Sequence, residues 1–126
     1  MRIFFAWIFL LPVVAQAQIA VTHTADTWTV RGTKNTVVLN GSDLSLSVRA
    51  GAAVWRMAPS GPHDMRVRTG GNELDVRLAD AGEIRITPYE TGFKTGVKIV
   101  LDRFRTPGLR LVLTLCLEGR DEELVA

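Results

Sequence analysis

From Gln18 onward apolar and polar residues alternate one by one, and turn-forming residues interrupt the alternation every eight to twelve positions. A period of two sends successive side chains to opposite faces of an extended chain, so the pattern predicts short strands with one face buried. Thr36-Val37-Val38-Leu39 runs into Asn40-Gly41, a dipeptide suited to the positive φ of a tight hairpin turn, and Leu44, Leu46 and Val48 alternate with polar partners beyond it. Ala52 to Met57 forms a third strand that ends in Ala58-Pro59-Ser60-Gly61-Pro62, where two prolines and a glycine forbid regular pairing. Met65, Val67 and Thr69, then Gly70-Gly71-Asn72, then Leu74, Val76 and Leu78 spell a second hairpin.

Asp80-Ala81-Gly82 turns the chain into a short strand holding Ile84 and Ile86, which Pro88 interrupts near a sheet edge. Val97, Ile99 and Leu101 mark the next strand. Leu109, Leu111, Leu113, Leu115 and Leu117 then share one face of the last full strand, with Val112, Thr114 and Cys116 on the other. A helix would scatter those leucines around its axis, whereas a strand gathers them. The count is eight or nine strands, and sheets with one apolar face must cover each other, so the expected fold is an all-β antiparallel sandwich. Gly119 to Glu123 reads as a turn and Leu124-Val125-Ala126 as the opening of another strand, so the expectation is a domain incomplete at its C-terminus, a fragment of a longer product.

The first seventeen residues follow a different pattern. Met1-Arg2 gives a basic start, Ile3 to Val14 is apolar and interrupted late by Pro12, and Ala15-Gln16-Ala17 supplies small residues before a cut between Ala17 and Gln18. This is the grammar of a helical secretory signal peptide. An apolar stretch of this length falls short of the roughly 20 residues a membrane span needs. Residues 1–17 are therefore expected to be removed on export to the periplasm or medium of a bacterium, leaving no permanent membrane span, with residues 18–126 as the β-sandwich.

Charge and chemistry narrow the partners. The 126-residue chain carries fifteen Lys and Arg against thirteen Asp and Glu, a formal charge of +2, with the two signs interleaved. No basic run marks a phosphate-binding stripe, which argues against nucleic acid. Cys116 is the only cysteine and lies in an apolar run, so it reads as a small buried hydrophobe and no internal disulfide exists. One thiol and two scattered histidines offer no zinc ligand set, and no cofactor is expected. Asp75, Glu83, Asp102 and Glu118 fall on the polar phase of strands, as solvated faces do. Ser60, His63 and Asp64 share one loop, too close in sequence for a triad's relay geometry. Gly92-Phe93-Lys94-Thr95-Gly96 lacks the spacing of a phosphate loop and reads as a bend between strands. No catalytic residue is assigned.

Aromatic side chains carry what binding flavour there is, because an indole or phenol ring stacks on a sugar face. The carbohydrate-binding candidates are Trp55, His63 and Tyr89, with Trp55 preceding the loop that holds His63, although a core position suits Trp55 better. Val54-Trp55-Arg56-Met57, Glu83-Ile84-Arg85-Ile86, the run from Tyr89 to Ile99, and Leu111-Val112-Leu113-Thr114-Leu115 with Glu118-Gly119 are similar in strand rhythm and local wording to one domain type. They resemble the N-terminal, galactose-mutarotase-like β-sandwich of secreted bacterial glycoside hydrolases. The resemblance implies a non-catalytic accessory segment of an exported carbohydrate-active enzyme, with a downstream catalytic domain as partner and carbohydrate as ligand.

Two other readings compete. One is a free-standing periplasmic or secreted binding or assembly protein offering a sheet edge or loop cleft. The other is a small secreted hydrolase, which ranks last for want of an acid, base or nucleophile set. All three require the alternating pattern to fold as strands. Circular dichroism of residues 18–126 should show a β spectrum, and a helical or disordered spectrum would remove the sandwich.

Overall fold

The computed structural model describes residues 18–126, so the expected signal helix and most of the cleavage site lie outside the described residues. Eleven strands follow in order: β1 Ala20–Thr24, β2 Thr27–Arg31, β3 Asn35–Asn40, β4 Leu46–Ala50, β5 Ala53–Met57, β6 Met65–Thr69, β7 Asn72–Val76, β8 Glu83–Glu90, β9 Lys94–Asp102, β10 Leu111–Glu118 and β11 Glu123–Val125. The expected count of eight or nine fell short because the sequence reading resolved no separate strands in the Thr-rich stretch that forms β1 and β2. Their sequences, AVTHT and TWTVR, carry the β-branched and aromatic residues that suit strands.

All pairings are antiparallel. Strands β1 to β5 form a five-stranded meander, β11-β10-β9-β8 a four-stranded sheet, and β6-β7 a separate hairpin. Val30, Val37, Leu39 and Leu46 of the first sheet join Val97, Ile99, Leu101, Leu115 and Leu117 of the second in one buried cluster, which makes the two sheets the layers of a sandwich. The hairpin adds Val76 to the same core, and Leu44 and Phe104 fill it from loops.

Local chemistry explains where the turns fall. Gly70 and Gly71 both have positive φ, 55° and 81°, as a two-residue turn between β6 and β7 requires. Asn40-Gly41 does not make the expected tight turn. The β3-β4 connection is longer, the positive φ of 60° falls on Leu44, and Leu44 leaves the strand alternation to be buried. Gly41 serves another purpose: its amide donates to the Asp26 carbonyl at 2.7 Å, and a Cβ there would meet Ile86 Cδ1 at 3.0 Å. Pro88 does not end its strand either. It sits opposite Val97 within β8, tolerated because β8 is the edge of its sheet. Leu78, expected at the end of a strand, opens a short 3₁₀ turn, Leu78–Asp80.

The two faces of β10 are covered unevenly. Leu115 and Leu117 are buried on the inner face while Leu113 is 41% exposed, and on the outer face Cys116 is buried while Val112 is exposed. Across the sandwich, β5 is exposed along its whole length. Burial thus fades toward β5 on one sheet and toward parts of β10 and β11 on the other.

The sheets are tied at one end by a carboxylate. Glu122, in the β10-β11 turn, reaches the β2-β3 turn, where Oε1 accepts from the Thr33 amide at 2.6 Å and the Thr33 hydroxyl at 2.7 Å. Oε2 accepts from the amides of Lys34 at 2.8 Å and Asn35 at 2.7 Å. The Asn35 side chain returns a bond to the Glu122 carbonyl at 2.8 Å, and Lys34 Nζ pairs with Asp121 at 2.7 Å. Gly32 makes room for this, since a Cβ at that position would stand 2.1 Å from Glu122 Oε2.

Burial alone would raise the Glu122 pKa, but the Thr33 hydroxyl and the amides of Asn35, Lys34 and Thr33 reverse that and hold it at about 2 against an ordinary 4.5. A depressed carboxylate stabilises the fold fully above its unfolded pKa, and that contribution disappears as pH falls toward the folded value. The shift corresponds to about 3 kcal/mol. Glu122→Gln should therefore be less stable than wild type at pH 7 by urea unfolding, and the gap should close between pH 4.5 and 2.

Candidate functional site

The loop from Ala58 to Asp64 that follows β5 is built around Asp64. Its carboxylate accepts from the Ser60 hydroxyl, from the Gly61 amide at 2.8 Å and from the Leu78 amide at 2.9 Å. Ser60 Oγ in turn accepts from the Ala79 amide at 2.8 Å, and Arg77 Nε donates to the Ser60 carbonyl at 3.1 Å. Burial works to raise the Asp64 pKa, but the bonds from Ser60, Gly61 and Leu78, with the Arg77 charge, leave it lowered. Ser60 and Asp64 thus bond each other directly, with no imidazole between them. His63 points elsewhere: its Nδ1 lies 2.7 Å from Asp75 Oδ2, and Arg66 Nε donates to the same carboxylate's Oδ1 at 3.0 Å. The loop is a clasp that fastens β5 and β6 to the 3₁₀ turn.

Other carboxylates are occupied in the same way. Arg66 and His63 hold the Asp75 pKa down by hydrogen bonding, and Arg85, with help from Arg103, does the same to Glu83. Asp102 faces Arg110 at 3.6 Å. Among the described residues no group of three His, Cys, Asp or Glu converges to hold a metal ion, and every buried side-chain nitrogen or oxygen has a hydrogen-bond partner.

The three carbohydrate candidates lie apart. Trp55 sits on β5 opposite Val48, on the sheet face that also carries Val37 and Val30, yet it is 55% exposed because the second sheet does not extend over it. The core position favoured from sequence is therefore wrong: the alternation located its face correctly but not the limit of the opposing layer. His63 is exposed and tethered to Asp75 across the β6-β7 hairpin base. Tyr89 belongs to the other sheet, on edge strand β8, and lines a shallow depression of about 560 Å³ with Gln18 to Val21, Pro88, Glu90 and Thr95. Neither Trp55 nor His63 lines that depression.

A feature that the sequence reading passed over lies on the outer face of the five-stranded sheet. Cross-strand register aligns Arg31, Thr36, Arg49 and Val54 in one row, and Thr29, Val38, Ser47 and Arg56 in the next. Thr36, Val38 and Ser47 are half-buried at the floor, while the three arginines stand exposed around them. The signal was present only as arginines on the polar phase of strands far apart in sequence, and it becomes a cluster only once the register is known.

The clasp reading has a direct check. Ser60→Ala removes a donor to Asp64 and the acceptor of the Ala79 amide, and should lower stability by about 1 kcal/mol in thermal unfolding. His63→Gln, at an exposed hydrogen bond to Asp75, should stay within about 0.5 kcal/mol of wild type.

No family model, curated protein or solved structure matches this chain, so its function is read from its own residues.

Proposed function

We propose that this chain is a non-catalytic accessory β-sandwich segment of an exported carbohydrate-active enzyme, of the kind that stands N-terminal to a glycoside hydrolase domain. The observation that carries the reading is Trp55, a large indole 55% exposed on an edge strand, with exposed Met57 on the same face of that strand. An indole left in water at a sheet margin provides a flat apolar plane on which a sugar ring stacks. The occupied state of Ser60, Asp64, Asp75 and Glu83 supports a binding role, since each is engaged in a structural bond instead of facing an open cleft. Export rests on the pattern of residues 1–17.

A free-standing binding or assembly protein is the second reading, and the observation that favours it is β5 itself. This strand pairs only with β4 and is exposed at every position, which leaves a backbone edge able to accept a partner strand.

A neutral-glycan array combined with a hydrolysis screen tests the first reading. Retention on at least one neutral glycan is expected, weakened about tenfold by Trp55→Ala with little change in melting temperature, and no glycan should be cleaved. Turnover of any glycan, or retention indifferent to Trp55, would count against it.

A further inference from the structure

The outer face of the five-stranded sheet carries positive charge that no carboxylate among the described residues pairs with. Arg66, Arg68, Arg77, Arg85, Arg103 and Arg110 each lie within 4.0 Å of a carboxylate oxygen. Arg31, Arg49 and Arg56 form no ion pair among the described residues; Arg105 and Arg120, outside the strands, form none either, but only the first three share one sheet face. The outward positions of β1 to β5 in the cross-strand rows are Ala, Thr, Arg, Val, Asn and Ser, with no Asp or Glu among them. Arg31 and Arg49 flank Thr36 from the two neighbouring strands, which sets their backbones roughly 10 Å apart. Arg49 and Arg56 are diagonal neighbours across β4 and β5, at roughly 7–8 Å. Like charges at this separation repel, and nothing in the sheet compensates them.

The surface between them is hollow. A depression of about 500 Å³ is lined by the three arginines with Thr36, Val38, Ser47 and Val54. A second, of about 440 Å³, shares Val38, Ser47 and Arg56 and continues toward Asn40, Ser45 and Pro59. Together they make one trough running along β3, β4 and β5. Guanidinium groups grip carboxylates and sulfates through paired N–H donors, and hydroxyl and amide side chains on the floor suit ring hydroxyls between the charges. An elongated trough that mixes these two functions fits a chain with charges recurring along it better than it fits a single small anion.

We infer that this trough binds an acidic polysaccharide, one bearing uronate carboxylates or sulfate esters, through Arg31, Arg49 and Arg56. The site is separate from Trp55, whose side chain projects from the opposite face of the same sheet. The choice of a polysaccharide over other polyanions rests on the carbohydrate reading above.

Isothermal titration of the full chain against polygalacturonate tests the inference, with fully methyl-esterified polygalacturonate and duplex DNA as comparison ligands. Polygalacturonate should bind, its affinity should fall as salt rises, and the esterified polymer should bind at least tenfold more weakly. Arg49→Gln should weaken polygalacturonate binding at least fivefold, Arg49→Lys less, and the triple Gln variant should abolish it. Arg85→Gln, on the other sheet, should leave it unchanged. No binding by wild type, or equal binding by the triple variant, overturns the inference. Tighter binding of DNA with the same arginine dependence overturns the polysaccharide assignment. Trp55→Ala separates the two sites: if it removes neutral-glycan retention and spares polygalacturonate, both readings stand. If wild type retains no neutral glycan yet binds polygalacturonate through the arginines, the accessory reading fails and the trough remains.

Discussion

A carboxylate seated in a ring of donors fixes how the two sheets meet at one end. Glu122 accepts three backbone amides and one hydroxyl from the β2-β3 turn, and those donors point inward with nothing else to satisfy them. The arrangement behaves as an anion-binding turn that carries its own anion. Because the acceptor comes from the β10-β11 turn, the bond set spans the sandwich between elements nearly ninety residues apart in sequence. Gly32 and the positive φ of Glu122, 55°, are the local concessions that allow it. With that end fixed, the leucines of β9 and β10 meet the valines and leucines of β2 to β4 in a single register.

Away from that end, the apolar contact thins. Val30, Val37, Val97 and Leu101 are almost fully buried near the middle of the layers, whereas Trp55 and Met57 on β5 and Leu113 on β10 are more than 40% exposed. The same sheet therefore presents two different surfaces. Its inner face ends in an uncovered apolar margin, and its outer face is a polar, cationic trough. Residues adjacent in sequence, Trp55 and Arg56, belong to these opposite surfaces because a strand alternates its side chains. Two ligand chemistries can thus share one short strand without competing for space.

Strand pattern was largely legible from the chain, since period-two alternation directly reports one-sided burial. The all-β antiparallel class and the places of most strands from Thr36 onward followed from it, down to the diglycine turn of β6-β7 and the start of β11. What the pattern does not encode is which strand lies opposite which, and how far each layer extends. Trp55 alternates like a core residue and would be one if the second sheet reached it. Asn40-Gly41 carries the composition of a tight turn, but the buried side chain of Leu44 and the close approach of Ile86 dictate a longer path. The arginine trough and the Glu122 anchor were both invisible for the same reason, that their members come together only through long-range register. Ser60, His63 and Asp64 show the converse: their nearness in sequence was plain, and it yields a clasp and a separate hydrogen bond from His63 to Asp75.

Cys116 is 2% exposed, and burial raises its pKa, so its thiol is withheld from solvent in the less reactive protonated form. Only while β10 has not yet paired with β9 and β11 can that sulfur meet an oxidant, an alkylating reagent or the same atom of another molecule. Covalent dimers of this protein, when found, would then be a record of slow maturation and not of association between finished molecules. The proportion of cross-linked material would serve as a clock for how quickly the second sheet closes.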